Sequence, residues 1–259
     1  MISVDRITFA YPEQPPVFRD FTWKSAASAA WAVIGPSGCG KSTLLYLIAG
    51  LRQPAGGQIL VDGQPAPRPR ASTGLVLQDY GLLPWATVWD NVALVMHMGR
   101  FYRNKHTEGD APRPYPRSDI TSAQIEHWLH RLGIADLKEK YPNQISGGQR
   151  QRTAIARSLL QQPNLLLMDE PFSSLDALTR EDLQRLTVEL RQETGVTTVI
   201  VTHNIEEAVY LGQCILVLGR APNTETRIIA NPGAGSPGFR SQPVYAQKCT
   251  ELRDALAAA

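Results

Sequence analysis

Trp31-Ala32-Val33-Ile34-Gly35-Pro36-Ser37-Gly38-Cys39-Gly40-Lys41-Ser42-Thr43 is the stretch that decides the fold. Its apolar run to Ile34 reads as a buried strand. A glycine-rich turn follows, and 42–49 continues as an apolar helix that Gly50 and Pro54 stop. The turn matches the pattern G-x-x-x-x-G-K-[ST]. Glycines there let successive N–H groups turn inward around phosphate oxygens with no Cβ in the way. The helix that follows aims its positive end at the same point. Lys41 adds a charge for the outer phosphates, and Ser42 offers a hydroxyl to Mg²⁺, a hard cation that takes oxygen ligands. An ordinary glycine turn accounts for the bend but not for a lysine followed by two hydroxyls. Nucleotide binding is the expected property.

Working outward, Leu165-Leu166-Leu167-Met168 is a second buried strand, and it ends in Asp169-Glu170. Strands often end in acids at a surface. Beside a phosphate cradle the pair has a use: Asp169 to hold Mg²⁺ through its water shell, Glu170 to polarise an attacking water. Further strands are expected at 2–9, 59–61, 75–77, 197–201 and 215–218, the last two central and parallel. From 84 to 161 the pattern is mainly helical, with 91–98, 122–132 and 148–161 as helices. Strands alternating with helices predict an α/β fold. The expected organisation is a single domain over 1–259, with a nucleotide-binding core at 1–83 and 162–259 and a helical subdomain inserted at 84–161. Residues 100–117 interrupt that subdomain with Pro112, Pro114 and Pro116 and five basic residues against Glu108 and Asp110, as a solvated loop would. Residues 231–243 read as a loop, and 252–259 as a short closing helix.

Composition narrows the function classes. A chain of 259 residues buries a core without disulfides. Hydrophobic residues at 43% and charged residues at 19% exclude wholesale disorder. Lys plus Arg is 26 against 24 acids, a net +2, so nucleic acid is not an expected partner. No apolar stretch approaches the roughly 20 residues of a membrane span, and no secretory leader pattern is visible. Cys39, Cys214 and Cys249 form no C-x-x-C pair, which fits a reducing compartment.

Between the two phosphate-side motifs lies Ile145-Ser146-Gly147-Gly148-Gln149-Arg150-Gln151-Arg152, led in by Pro142-Asn143-Gln144. This resembles the signature motif of the ATP-binding cassette (ABC) family. The resemblance spans nearly the whole chain, with six motifs in the family's order. It implies a P-loop NTPase core, a mixed sheet with flanking helices and an N-terminal antiparallel β part, carrying an inserted α-helical signature subdomain. It implies that Gly35, Pro36, Ser37, Gly38, Cys39, Gly40, Lys41, Ser42 and Thr43 bind ATP. Tyr11, 24 residues before Gly35, matches the aromatic that stacks on adenine. Gln78 matches the glutamine that touches Mg²⁺ and links sheet to helical subdomain. Ser42, Gln78 and Asp169 are then the metal set. Glu170, Lys41 and His203 are the catalytic set, His203 matching the switch histidine at the γ-phosphate. Ser174-Leu175-Asp176 matches the loop that crosses to a partner subunit. By their residues alone, Tyr11 and His203 would be ordinary strand and turn residues.

The signature also has a physical reading. Ser146 suits an N-cap, and Gly147 and Gly148 permit close backbone approach. A helix starting there offers N–H groups and a positive end to an anion. The cradle already uses one helix start, so the second anion site is spare unless another subunit brings a phosphate. The family arrangement agrees. Two cassettes pack head to tail with ATP between the cradle of one and Ser146, Gly147, Gly148, Gln149 and Asp176 of the other, and ATP drives dimerisation.

Residues 81–92, 172–181 and 202–211 are similar to the nitrate, sulfonate and taurine importer group. That implies a peripheral ATPase subunit on the cytoplasmic face of the inner membrane. Separate transmembrane permease subunits would dock at the Gln78 region and helical subdomain, with a solute-binding protein acting indirectly. An exporter ATPase or membrane-remodelling machine is the alternative. The chain departs from the family pattern at Ile145 for leucine, Asn204 for aspartate and Gln213-Cys214 for Asp-Arg. None of these removes a catalytic group.

Overall fold

The computed structural model describes residues 1–26, 29–103 and 120–258, with backbone alone for 97–103. In chain order the elements are β1 (Ile2–Ala10), β2 (Pro16–Ser25), β3 (Ala30–Ile34), α1 (Lys41–Ile48), β4 (Gly56–Val61), β5 (Gln64–Pro65), β6 (Thr73–Val76), α2 (Val88–Arg103), α3 (Ser122–Arg131), α4 (Gly147–Leu160), β7 (Leu165–Asp169), α5 (Ala177–Thr194), β8 (Thr197–Thr202), α6 (Ile205–Leu211), β9 (Cys214–Val217), β10 (Arg227–Ala230) and α7 (Pro243–Ala257). Among the described residues no helix is long and apolar enough to cross a membrane.

Two sheets form. One is antiparallel, in the order β2-β1-β4-β5. The other runs β10-β9-β3-β8-β7-β6 and is parallel except for β10 on β9. Every residue of β3, β7 and β8 is buried, which is why these strands read as unbroken apolar runs. β1 instead alternates, burying Ile2, Val4, Ile7 and Phe9. The register of the parallel sheet sets the site. Ile34 pairs with Thr202 and Val217, Asp169 with Val201, and Val76 with Met168. The strand ends therefore lie side by side, and the residues that follow them open at one edge. That is the edge where parallel α/β sheets hold ligands.

On one face, Leu44, Leu45, Leu47 and Ile48 of α1 pack with Phe18, Phe21 and Trp23 of the antiparallel sheet. Trp23 meets Trp31 edge-on at 5.0 Å. Each such fully buried side chain is worth about 1.5–3 kcal/mol. The other face carries Val92, Ile155, Leu159 and Leu183 from α2, α4 and α5. α6, α7 and Phe239 close the β9 end.

Several elements differ from the sequence reading, β5 and β10 among them. β2 escaped it because Arg19-Asp20 breaks the alternation, where Asp20 turns to φ 53° and the β1 pairing shifts register. α5 escaped too, although Asp176 caps it, Leu183, Leu186 and Leu190 face inward, and Gly195 ends it at φ 67°. α6 was also unforeseen. The closing helix starts nine residues earlier than expected, at Pro243, whose missing N–H suits a first helical turn. α2 carries the backbone to Arg103, and 104–117 of the expected solvated loop lie outside the described residues.

Candidate active site

The cradle is shaped by close packing. Gly40 sits at φ 104°, and a Cβ there would lie 2.3 Å from Val17 Cγ1. A Cβ on Gly35 would lie 2.6 Å from the Leu218 carbonyl oxygen. Lys41 is only 7% exposed, and its Nζ donates to the carbonyls of Gly35 (3.1 Å) and Pro36 (3.0 Å). Those carbonyls occupy the ammonium in the way phosphate oxygens can. α1 starts from Gly40, and among the described residues no side chain caps it. Its first N–H groups are thus left for an anion. Cys39 is buried beneath the turn, and that burial pushes its thiol up, outweighing Lys41.

Asp169 closes the cradle from β7. Ser42 Oγ donates to its Oδ1 at 2.8 Å, and the Tyr46 hydroxyl donates to Oδ2 at 2.9 Å. Tyr46 lies one turn after Ser42 on the same face of α1. Burial, then the bond to Asp169, pushes its phenol up to about 12. Sequence reasoning missed Tyr46, and the signal was its four-residue spacing from Ser42. Among the described residues no cluster of three or more His, Cys, Asp or Glu could hold a metal. The hydroxyl–carboxylate pair nevertheless fits Mg²⁺, which keeps several waters and takes its other oxygens from phosphates. Gln78 is exposed in the turn after β6. Tyr11, at the end of β1, places its hydroxyl 3.1 Å from Thr43 Oγ1, with Arg52 over its ring at 5.5 Å.

The next strand ends carry Glu170 and His203. Glu170 is held at φ 43°, its N–H donating to the Val201 carbonyl at 2.9 Å. A left-handed glutamate is strained, and such strain gathers at functional sites. Its Oε2 lies 3.0 Å from His203 Nδ1. The two share a chamber of about 60 Å³ with Thr202, Arg180 and Glu207, three residues the sequence reading did not single out.

Ser146 and Asp176 each cap a helix. Ser146 Oγ accepts the Gln149 N–H at 3.3 Å, and Gln149 Oε1 accepts the Ser146 N–H at 2.8 Å, a capping box on α4. A Cβ on Gly147 would meet Leu175 and the Tyr80 hydroxyl at 3.2 Å, and one on Gly148 would meet Thr179 Cγ2 at 2.4 Å. Asp176 accepts the Thr179 N–H at 3.1 Å, which holds its carboxyl below the ordinary value. The loop after Gln78 is tied to the signature helix: Arg157 donates to the carbonyls of Gly81 (2.6 Å) and Tyr80 (3.0 Å). The Tyr80 hydroxyl meets Ser174 Oγ at 2.7 Å. Beyond it, Trp85 stands 74% exposed, while Leu82 packs on the core.

A cradle, a buried strand-end carboxylate and a glutamate–histidine pair at one sheet edge define a nucleotide-binding protein built to cleave a phosphate bond. The ABC transporter family model matches residues 18–173. The chain is 35% identical over 254 residues to the nitrate import ATP-binding protein NrtD of Synechococcus elongatus, covering 96% of this chain and 88% of that one. It is 38% identical over 222 residues to the taurine import ATP-binding protein TauB of Yersinia pestis bv. Antiqua, covering 86% and 81%. Its fold matches the dimeric post-hydrolysis structure of the ATP-binding cassette MJ0796 bound to ADP and Pi. That match has a TM-score of 0.71 and 27% identity, over 89% of this chain and 98% of that one. The chain belongs to the ABC transporter family. It is the ATP-binding, ATP-hydrolysing subunit of an importer.

Proposed function

We propose that this chain closes head to tail with a second copy of itself around two ATP molecules, and that closure drives import of a small solute of the nitrate, sulfonate or taurine kind. One observation carries the reading. Among the described residues two helix starts carry glycines, α1 at Gly40 and α4 at Gly147, and Ser146 at the second is exposed and lies outside the 35–43 turn. With one phosphate group held at the first, the second suits a phosphate brought by another molecule.

The geometry supports the following roles. Lys41 exchanges two carbonyls for phosphate oxygens. Residues 35–43 wrap the phosphates, and the Tyr11 ring stacks on the base. Ser42, Asp169 and Gln78 would hold Mg²⁺, which would shield the charge of the outer phosphates. Glu170 orients the attacking water and takes its proton, while His203 turns from Glu170 to the γ-phosphate. Across the dimer, Ser146, Gly147, Gly148 and Gln149 meet that phosphate from the other side, and Asp176 approaches it. Residues 84–161 act as the helical subdomain and 1–83 with 162–259 as the core. Transmembrane permease subunits seat beside Trp85 and the Gln78 loop, on the cytoplasmic face of the membrane, and a solute-binding protein delivers the cargo. The names of the nitrate and taurine relatives support that class of cargo.

Light scattering and phosphate release, with and without Mg-ATP, test this on the purified chain and Glu170→Gln. The variant is expected to dimerise only with ATP and to release phosphate about 100- to 1,000-fold more slowly. A folded variant that neither binds ATP nor dimerises would overturn the sandwich. One that hydrolyses ATP as the parent does would remove Glu170 from the mechanism.

A further inference from the structure

Asp169 ends β7 and is only 2% exposed, and a carboxylate so deeply buried needs hydrogen bonds on both oxygens. Helix α1 supplies them from one face. Ser42 Oγ donates to Oδ1 at 2.8 Å, and the Tyr46 hydroxyl donates to Oδ2 at 2.9 Å. The two donors stand one helical turn apart, so α1 grips the carboxylate like a fork. Tyr46 is itself held in place. Its carbonyl accepts the N–H groups of Leu51 (2.9 Å) and Arg52 (3.2 Å), and its ring packs against the core that α1 shares with the antiparallel sheet. Packing explains the ring but not the hydroxyl, because a phenylalanine would fill the same space. Ending the helix does not explain it either, since that uses only the Tyr46 backbone. What the hydroxyl does is fix the plane of the Asp169 carboxylate against the helix that carries the phosphate turn.

We propose that Tyr46 is a positioning residue for the metal side of the site: by holding Oδ2 of Asp169 it sets the angle at which Asp169 and Ser42 present oxygen to Mg²⁺. The inference rests on reading Ser42 and Asp169 as the residues that hold the ion. Tyr46 acts through Asp169 and is not itself a ligand. With Ser42 as its sole donor from α1, the carboxylate could turn about its side-chain bonds, and Oδ2 would lose a partner in a buried place. Carboxylates that serve metals are commonly held by such outer hydrogen bonds, and losing one weakens metal binding about 10- to 100-fold. The nucleotide's own grip comes from the 35–43 turn and Lys41, so the hydroxyl should matter only when the metal is present.

The experiment is calorimetric binding of β,γ-imido-ATP, which is not hydrolysed, to the full chain. It is done once in EDTA and once with Mn²⁺, a hard ion that takes the same oxygen ligands as Mg²⁺. The ratio of the two affinities is the metal's contribution. In Tyr46→Phe that ratio should fall about tenfold, while the affinity in EDTA stays that of the parent and so reports an intact cradle. Asp169→Asn should lower the ratio as well, and adding Tyr46→Phe to it should change nothing more, as two members of one link behave. A ratio unmoved in Tyr46→Phe but lowered in Asp169→Asn overturns the positioning role alone. A ratio unmoved in both removes Asp169 from the metal site, and the inference falls with it. An equal loss in EDTA and in Mn²⁺ would make Tyr46 a support of the cradle, and a further fall in the double variant would mean that its hydroxyl acts elsewhere. Either result overturns the inference.

Discussion

α1 and α4 both begin beside glycines, yet the chain finishes them in opposite ways. α1 starts from Gly40 in a left-handed conformation with no side-chain cap, and a buried Lys41 waits on two carbonyls. α4 starts from Ser146, whose hydroxyl and Gln149 satisfy each other's N–H groups. Orphan N–H groups at a helix start must find a partner. The cradle helix leaves that partner to the ligand, whereas the signature helix supplies its own. In the proposed function the first is therefore where ATP would bind a single chain, and the second, stable without ATP, would gain a phosphate only when another subunit presents one.

Lys41→Ala probes the open end and carries the largest effect. A charged hydrogen bond is worth about 1.5–3 kcal/mol, so ATP should bind the single chain about 10- to 100-fold more weakly by calorimetry. An unchanged affinity would break the contrast, because the ammonium would then have no hold on the phosphates.

A third helix start, α6, sharpens the picture, since it pairs an Asn204 cap with the buried Glu207. Glu207 sheds its proton near 4.5 in the unfolded chain but near 7 in the folded one. Between those values the folded state holds more protons, so stability falls as pH rises from 4.5 to about 7. At 1.36 kcal/mol per unit the decline amounts to about 3 kcal/mol. Urea unfolding at both ends of that window should show it in the parent chain and a flatter trend in Glu207→Gln. Equal slopes would mean the carboxyl is already ionised in the fold.

Ser146→Ala probes the closed end and should have the smallest effect on the chain alone. Loss of the cap costs about 1 kcal/mol, or about 2–4 °C in the melting temperature of a chain this size. Single-chain ATP affinity should not change, while ATP-driven dimerisation weakens. A drop in single-chain affinity would place the signature in its own cradle's site and remove the distinction.

Much of this contrast is legible in the order of residues. The cradle spans nine consecutive residues, 35–43, so its pattern is local. The capping box of Ser146 and Gln149 is local as well. The long-range partners are not legible. Ser42 and Asp169 are 127 positions apart; the four-residue spacing puts Tyr46 on the face of Ser42, but no local pattern names Asp169 as the carboxylate they share. Gln184 reads as one more polar residue on a helix that sequence reasoning passed over, yet it is buried against Glu207.

By itself, then, the amino-acid sequence determined which segments are strands on both-sides-buried apolar runs, where the phosphate turn and signature cap lie, and which residues can do the chemistry. These depend on φ/ψ freedom, capping and periodicity, all of which act within a few residues. The tertiary structure alone decided which groups meet. The pairing of Ile34 with Thr202 and of Asp169 with Val201 brings Lys41, Asp169, Glu170 and His203 to one sheet edge. Strand register is set by packing across the whole sheet, and no local stretch encodes it.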